Sequence, residues 1–397
     1  MRRRQPHHRA ASHRPAASHR RAARIGPIAA VLLPLLQLCA PCRAAAAGSA
    51  RAPEPTSASA HEQSLAAVES GHALEFPRDY GSHAQFGLEW WYLTGWLETA
   101  AHERLGFQIT FFRSRQGSLD GNPSAFAPRQ LLIAHCAISD PAHGHPWQDQ
   151  RIRRAGMGLA EAQAGDTRVW IDDWRLERRG ALYLAELAAE DFALHLQFQI
   201  TQPPLLNGVA GYSQKGPAPQ SASYYYSQPH LRVSGSIARA ARRDAVTGEA
   251  WLDHEWSSQY LDAAADGWDW VGLNLDDGGA LMAFRIRDHQ GQTYWAGATL
   301  RDADGQVRSF GPGDVSFITA RRWRSPRSGT SYPVALRVRV GPRQFDLEPL
   351  LDDQEIDMRL SSGAIYWEGA VSVQNGARHI GAGYLELTGY EHPLSLH

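Results

Sequence analysis

The densest group of residues able to do chemistry is WLDHEWSSQYL, residues 251–261. His254 changes charge near neutral pH, so it is a candidate proton donor or acceptor. Its neighbours Asp253 and Glu255 could set the tautomer of the imidazole, or act as acids with a raised pKa if they are buried. On a strand, His254 and Trp256 would share one face, and Asp253 and Glu255 would share the other.

A second group follows in GWDWVGLNL, where alternation places Trp268 and Trp270 on one face of a strand and Asp269 on the other. Indole faces attract cations, so Trp256, Trp268 and Trp270 could wall a site that stabilises a carbocation. Asp269 is then a further candidate acid. The alternative is that His254 and the indoles form a buried, hydrogen-bonded cluster that only builds a domain junction.

Two clusters nearer the N-terminus supply candidate ligand contacts. The run EWWY places Glu89 before Trp90, Trp91 and Tyr92, and a buried Glu is costly unless it is paired or protonated. We treat Glu89 and Trp91 as candidate contacts. The alternative is that Glu89 faces outward and the aromatic residues are ordinary core.

The second of these clusters is NGVAGYSQKGPAPQSASYYYSQPHL, which holds Lys215, the only lysine of the chain. Ser213 is near it in sequence, but the spacing of Ser-x-x-Lys enzymes and a Gly-x-Ser-x-Gly turn are both missing, so the hydrolase signal is weak. We expect a loop over a barrel mouth, where Lys215 meets a polar group of a ligand or partner. Tyr225, in the strand that follows, is a candidate ligand contact.

Metal and cofactor motifs are missing from the mature sequence. It has no HExxH or paired-Cys spacing, and no Gly-rich phosphate loop. We therefore expect no bound metal and no cofactor.

These residues must be positioned by strands. Runs rich in β-branched and aromatic residues, such as LGFQITFFRS and PVALRVRV, alternate with Gly, Pro, Asp and Asn. Asp277-Gly278, Asp304-Gly305 and Asn375-Gly376 are dipeptides typical of tight hairpins. The pattern predicts an all-β protein of two consecutive antiparallel β-barrels, with domains at residues 76–250 and 251–397.

The N-terminus indicates export. Residues 1–46 hold nine Arg and no acidic residue, and the apolar run 25–40 is followed by small residues, which is the order of a signal peptide. Residues 47–75 are predicted to be a flexible linker. Without residues 1–46, 31 basic and 41 acidic residues remain, a net charge of −10. That charge argues against nucleic acid as a partner. We expect an exported protein, either periplasmic or secreted.

The ordered motifs FPRDYGSH, EWWYLTG, GYSQKG, SYYYS, WLDHEWSSQYL and GWDWVGLNLDDG resemble the secreted AttH-like proteins of the carotenoid-hydratase (CrtC) superfamily. The resemblance covers nearly all of residues 75–395. It implies two lipocalin-like barrels, an exported protein sometimes described as a hydrolase, and a gene often found beside an ABC-type exporter. The family's His-x-Trp pair matches His254 and Trp256. We place the family's acid on LMAFRIRD, which offers Phe284, Arg285 and Arg287 instead, so Asp269 or Glu255 would have to substitute.

Two functional hypotheses follow. The first is an exported protein that binds a hydrophobic lipid or isoprenoid in a Trp/Tyr-lined cavity near the domain junction and serves an ABC-type transporter. The second is a hydratase or hydrolase in which His254 and one of Asp253, Glu255 or Asp269 move protons.

Overall fold

The structure is a computed structural model that describes residues 65–119, 121–124, 126–259 and 261–394. The predicted signal peptide, and the part of the predicted linker up to residue 64, lie outside the described residues. Two antiparallel sheets account for nearly all regular structure, with short 3-10 helices at Arg78–Tyr80 and Gly117–Leu119. Within the described part of the chain, no helix has both the length and the apolar character needed to span a membrane.

The first sheet contains thirteen strands. They are β1 Leu88–Thr99, β2 Arg104–Arg115, β3 Gln130–Ser139, β4 Trp147–Arg154, β5 Ala160–Ala162, β6 Arg168–Ile171, β7 Trp174–Arg179, β8 Leu182–Ala188, β9 Phe192–Gln199, β10 Leu205–Leu206, β11 Tyr212–Gln214, β12 Ala222–Arg239 and β13 Arg242–Ser257. The order is β4-β3-β2-β1-β13-β12-β9-β8-β7-β6-β5, with β10 and β11 beside β12. Because β4 approaches β6, the sheet curls into a nearly closed barrel, here called the first barrel.

The second sheet contains ten strands. They are β14 Ala265–Leu275, β15 Ala280–Asp288, β16 Thr293–Arg301, β17 Val307–Phe310, β18 Val315–Arg324, β19 Ser331–Val340, β20 Arg343–Pro349, β21 Glu355–Met358, β22 Ala364–Asn375 and β23 Arg378–Leu387. The order is β17-β16-β15-β14-β23-β22-β20-β19-β18, with β21 beside β22. Its end strand β18 approaches β15 and β16, so this sheet also curls.

The fold class predicted from the sequence is confirmed: the chain is all-β, with two successive antiparallel sheets of lipocalin-like form. The hairpins also form at the expected dipeptides. Gly278 connects β14 to β15 with a φ of 87°, and Gly376 connects β22 to β23 with a φ of 62°, a backbone region that favours glycine. The predicted boundary at residue 250 falls inside β13, all of which pairs within the first sheet.

Three apolar clusters stabilise this arrangement. One fills the first barrel, and a second fills the interior of the second sheet. A third lies where the outer faces of the two sheets meet, around Tyr92, Tyr225, Trp251, Trp270 and Tyr384. This contact region is called the junction. Burying each such large side chain contributes roughly 1.5–3 kcal/mol, so the junction is an integral part of the core.

Candidate active site at the junction

Strand β13 sends its side chains to two different interiors because successive residues of a strand point to opposite faces. His254 and Trp256 point into the first barrel, where both belong to or contact its core. Asp253 and Glu255 point outward into the junction and line a cavity there. The sequence therefore predicts correctly which side chains share a face. It does not show that the two faces belong to separate clusters.

The junction cavity has a volume of about 70 Å³ and is formed by both sheets. Its walls are mostly aromatic, and four carboxyl groups lie among them. The lining residues are Leu88, Trp90, Tyr92, Thr110, Phe112, Tyr225, Asp253, Glu255, Trp268, Trp270, Tyr366, Glu368 and Glu386. None of these described lining residues is an Arg or a Lys, so the carboxyl groups are not neutralised by the wall itself.

Glu368 and Glu386 are direct cross-strand partners on β22 and β23. The Tyr92 hydroxyl donates to Glu368 Oε2 at 2.6 Å, and Trp268 Nε1 donates to Glu386 Oε2 at 3.1 Å. Burial, with the charge of Glu386 adding to it, raises the pKa of Glu368 well above its ordinary value. Burial raises the pKa of Glu386 to about 7. Two opposed carboxylates in a buried site cannot both be charged cheaply, so the pair holds a proton near neutral pH.

Asp253 faces this pair from the first barrel and is held by three donors. Tyr225 Oη donates to Oδ2 at 2.6 Å, while Ser227 Oγ at 2.5 Å and Trp251 Nε1 at 2.7 Å donate to Oδ1. Trp270 Nε1 in turn donates to the Tyr225 oxygen at 2.9 Å, which connects the two sheets. Burial raises the pKa of Asp253 to about 7 in spite of these donors.

Glu255 differs from the other three carboxyl groups because it has a cation beside it. Lys215 Nζ lies 2.9 Å from Glu255 Oε1, and Ser223 also donates to that oxygen. The ammonium is 4.2 Å from the centre of the Phe284 ring and 4.8 Å from that of Tyr225. Burial raises the pKa of Glu255 and lowers that of Lys215, and the ion pair opposes both shifts. Glu255 is therefore the carboxyl group best placed to carry a negative charge.

The first barrel contains a separate polar group, here called the barrel cluster: His83, Glu89, Arg113 and His254. Glu89 accepts from Arg113 Nε at 2.8 Å, from His83 Nδ1 at 2.8 Å and from His254 Nε2 at 2.9 Å. Burial raises the pKa of Glu89, but Arg113 and the two imidazoles outweigh burial and hold that pKa well below its ordinary value. Burial lowers the pKa of His254 to about 4, so this imidazole is neutral.

Trp91 and Trp256 pack against the barrel cluster. Trp256 stacks on His83 with ring centres 3.8 Å apart, and Trp91 stacks on His254 at 4.6 Å. Both indoles are almost fully buried. The structure thus places Glu89, Trp91, His254 and Trp256 together, but inside the first barrel and not on the lining of the junction cavity.

His83, Glu89 and His254 are also the described residues whose ligand atoms approach closely enough to hold a metal ion, within 4.8 Å of one another. Their donors are already committed. His83 uses its second nitrogen on Asp79, and Arg113 occupies the other oxygen of Glu89. Burial lowers the pKa of His83, but its bonds to Asp79 and Glu89 outweigh burial and shift that pKa upward. A protonated imidazole beside a guanidinium does not suit a metal ion.

Asp269 lies in a third place, the interior of the second sheet. It is fully buried, with Arg285 Nε at 2.6 Å, Arg287 Nε at 3.0 Å and the Tyr390 hydroxyl at 2.9 Å. Trp268 and Trp270, on the opposite face of β14, reach the junction cavity as alternation predicts. Of the candidate acids, Asp253 and Glu255 reach the cavity, whereas His254 and Asp269 point into the two sheet interiors.

The sequence reasoning missed Glu368 and Glu386, together with the neighbouring Tyr92 and Tyr366. A signal was present, because Glu368 interrupts the apolar run IYWEGAV and Glu386 interrupts YLEL. On a strand, Glu368 shares its face with Tyr366, and Glu386 shares its face with Tyr384, so each acid stands on an otherwise apolar face. Only the pairing of β22 with β23 places the two side by side.

Comparisons with known proteins bear on this architecture. The AttH-like family model matches residues 67–390. A crystal structure of a putative AttH from Nitrosomonas europaea is 53% identical, with a TM-score of 0.78, and the match covers 82% of this chain and 100% of that one. A crystal structure of kievitone hydratase from Nectria haematococca is 15% identical, with a TM-score of 0.61, covering 83% and 96% of the two chains. Comparison with curated proteins finds no match.

Proposed function

The chain belongs to the AttH-like family, as its motifs indicated, and we propose that it is an enzyme that adds water to, or removes water from, a carbon–carbon double bond of an apolar substrate. One observation carries this proposal: four carboxyl groups, two of them directly opposed, converge on a cavity with aromatic walls. Aromatic walls suit an apolar substrate, and buried carboxyl groups that keep a proton near neutral pH are acids suited to protonating it.

The first step is proton transfer from the Glu368/Glu386 pair. The neutral member of the pair gives its proton to one carbon of the double bond, whose π electrons form the new C–H bond. The other carbon becomes a carbocation, and the member of the pair that gave the proton becomes a carboxylate. The indoles of Trp90, Trp268 and Trp270 line the same cavity and stabilise the cation through their ring faces.

The second step is attack by water on the cation. A water oxygen forms the new C–O bond, and its surplus proton passes to an ionised carboxylate. Glu255 suits this role because Lys215 stabilises its charge at 2.9 Å. Transfer of this proton from Glu255 to the acid pair restores the starting state, and the net change is one water added across the double bond. Dehydration of a tertiary alcohol follows the same steps in reverse.

His254 acts in this proposal through the fold and not on the substrate. Its bond to Glu89 connects β13 to β1, and both strands present cavity residues on their other faces. Trp256 and Trp91 pack against it for the same purpose. The family's His-x-Trp pair is then a positioning feature of this chain. The name of the kievitone hydratase, whose likeness to this chain is one of fold, denotes the same class of reaction.

A non-catalytic carrier of a lipid or isoprenoid is the second candidate, and the aromatic walls favour it. A carrier of neutral lipid, however, gains nothing from four carboxyl groups on its cavity, three of them fully buried, because burying them costs free energy. Export through residues 1–46 and service to an ABC-type transporter remain part of this proposal on the strength of the sequence alone.

The test is turnover in water labelled with heavy oxygen. Acyclic isoprenoids and prenylated phenols, with the corresponding tertiary alcohols, are incubated with the purified protein, and products are measured by mass spectrometry. Incorporation that is lost in Glu386→Gln and retained in Glu190→Gln, an exposed control, supports the enzyme. Quenching of Trp fluorescence by these compounds without any incorporation supports the carrier. If the compounds cause no quenching and no incorporation is seen, both functions are rejected.

A further inference from the structure

Five buried polar atoms lie on strands that form the junction and have no partner at full hydrogen-bonding geometry within the described part of the chain, although Ser139 and Tyr384 lie close to each other. They are Thr94 Oγ1, Gln108 Nε2, Ser139 Oγ, Glu368 Oε1 and Tyr384 Oη. Each of these residues is at most 1% exposed. Buried polar groups are almost always bonded, and ordered water is the usual partner when no protein group is. Five such atoms on one interface therefore indicate a wet region.

The atoms form a path, because their residues are neighbours across and along the strands. Thr94 and Gln108 are cross-strand partners on β1 and β2, and Gln108 accepts from Thr110, a residue of the cavity wall. On the other sheet, Tyr384 precedes Glu386 by two residues on β23, a rise of about 7 Å. These two walls define the junction path, which starts at Glu368 in the cavity.

The far end of the junction path meets a surface groove. This groove has a volume of about 270 Å³, and Thr94 and Tyr384 are among its lining residues, with Trp96 and Arg104 further out. Thr94 and Tyr384 therefore stand between the groove and the buried end of the path. The two sheets touch closely next to these residues, since a Cβ on Gly106 would lie 2.7 Å from the Cβ of Ala370, the cross-strand partner of Tyr384.

We propose that a file of ordered water runs along the junction path from the groove to Glu368. If the proposed function holds, this file supplies the reacting water and reprotonates the acid pair while substrate fills the cavity. These two catalytic roles of the water rest on the proposed function, but the presence of the water file does not.

The need for such a file follows from the size and character of the cavity. A substrate that occupies about 70 Å³ between aromatic walls excludes solvent from the carboxyl groups. An acid that has lost its proton in such a site recovers it only through a chain of hydrogen-bonding groups. The hydroxyls of Thr94 and Tyr384, with water between them, are groups of that kind.

Infrared spectroscopy of the whole protein tests the file without any substrate. The carbonyl band of the protonated Glu368/Glu386 pair, identified by its loss in Glu368→Gln, shifts when D₂O replaces H₂O. We expect this exchange to slow by about tenfold or more in the Thr94→Val/Tyr384→Phe double variant. Tyr183→Phe is the matched control, because Tyr183 is also buried with an unbonded hydroxyl but lies in the first barrel, and its exchange should equal that of the wild type.

A high-resolution crystal structure supplies the second measurement, which stands even if the double variant does not fold. Ordered waters bonded to Thr94, Tyr384 and Glu368 are expected in the wild type. A dry junction, or exchange that is equally fast in the folded double variant, would overturn the water file. Slowed exchange in a protein with no turnover of any substrate would reject the proposed function and leave the file intact. Turnover by the wild type, together with unchanged exchange in the folded double variant, would support the proposed function and reject the water file.

Discussion

The barrel cluster and the junction cavity both enclose carboxyl groups, and they lie on opposite faces of β1, β2 and β13. Glu89 in the barrel cluster has Arg113 and two imidazoles around it, and its pKa lies well below the ordinary value. Glu386 in the junction cavity has one indole donor and three other carboxyl groups around it, and its pKa rises to about 7. Glu89 is fully buried and Glu386 is only partly buried, so burial alone would raise the pKa of Glu89 more, and the difference comes from the neighbours.

This contrast separates a structural role from a chemical one. A buried carboxylate that is fully paired holds elements together, and breaking it leaves uncompensated charge. A buried carboxyl group without a cation keeps its proton and can give it away near neutral pH. The following predictions test whether the two regions divide in this way, from the largest expected effect to the smallest.

Replacing the acid pair should abolish most turnover and leave stability intact. We expect Glu386→Gln or Glu368→Gln to lower the rate by about 100- to 10,000-fold, because each removes an acid from the cavity. Stability should stay the same or increase, since two opposed carboxyl groups no longer compete for one proton. The measurements are steady-state kinetics and urea unfolding. A large loss of stability in these variants would show that the pair holds the fold together, as Glu89 does.

Replacing Glu89 should lower stability, in contrast to replacing a member of the acid pair. Glu89→Gln leaves Arg113 buried without its partner, so we expect the free energy of unfolding to fall by about 3–5 kcal/mol. Urea unfolding followed by Trp fluorescence measures the loss. Glu348→Gln, at an exposed ion pair, is the control and should change stability by less than about 1 kcal/mol. A stable Glu89→Gln protein that is inactive would place the barrel cluster in the chemistry instead.

The pH dependence of stability should also divide the two regions. The pKa of Glu386 rises from 4.5 to about 7 on folding, so across that range the folded chain keeps a proton that the unfolded chain releases. Rising pH therefore removes stability through this group, and Glu386→Gln should gain relative to the wild type between pH 4.5 and 7, by roughly 1–3 kcal/mol.

Glu89 should show the reverse, because its folded pKa is depressed. Its contribution is present at neutral pH and is lost as pH falls below 4.5. The difference between wild type and Glu89→Gln should therefore shrink on acidification. Urea unfolding at a series of pH values and constant ionic strength gives both curves. If the stability of both variants, relative to wild type, changed with pH in the same way, the proposed difference between the two regions would be wrong.

The smallest effect is expected at Lys215. Lys215→Met removes the cation beside Glu255, so the pKa of Glu255 should rise further and less of it should be ionised at neutral pH. We expect turnover at neutral pH to fall by about tenfold, with the acidic limb of the pH–rate profile moved to higher pH. Lys215→Arg, which keeps the charge, should retain the wild-type profile within a small shift. An unchanged pH–rate profile in Lys215→Met would show that Glu255 is not the base.

Much of the strand architecture could be read from the sequence, because alternation and turn residues are local properties. The opposite faces of Asp253 and His254, and of Trp268 and Asp269, followed from the period of a strand. The Asp-Gly and Asn-Gly hairpins followed from the φ values that only some residues adopt easily. The AttH-like family followed from the order of its motifs.

The composition of the site could not be read in the same way. Glu368 Oε2 bonds to Tyr92, 276 residues earlier, and Glu89 bonds to His254, 165 residues later. Such partners depend on which strands pair and which outer faces meet. The sequence therefore supplied Asp253, Glu255, Trp268, Trp270, Tyr225 and Lys215 as candidates from separate clusters, but left Glu368 and Glu386 unnoticed.

The amino-acid sequence alone determined the all-β class, the side of each strand that a residue occupies and the acidic, aromatic character of the key segments. These are properties of a residue and its immediate neighbours. The tertiary structure decided which buried acid has a cation beside it and which does not, and so which one keeps a proton. That decision is electrostatic and depends on distances between residues far apart in the chain, which no local pattern records.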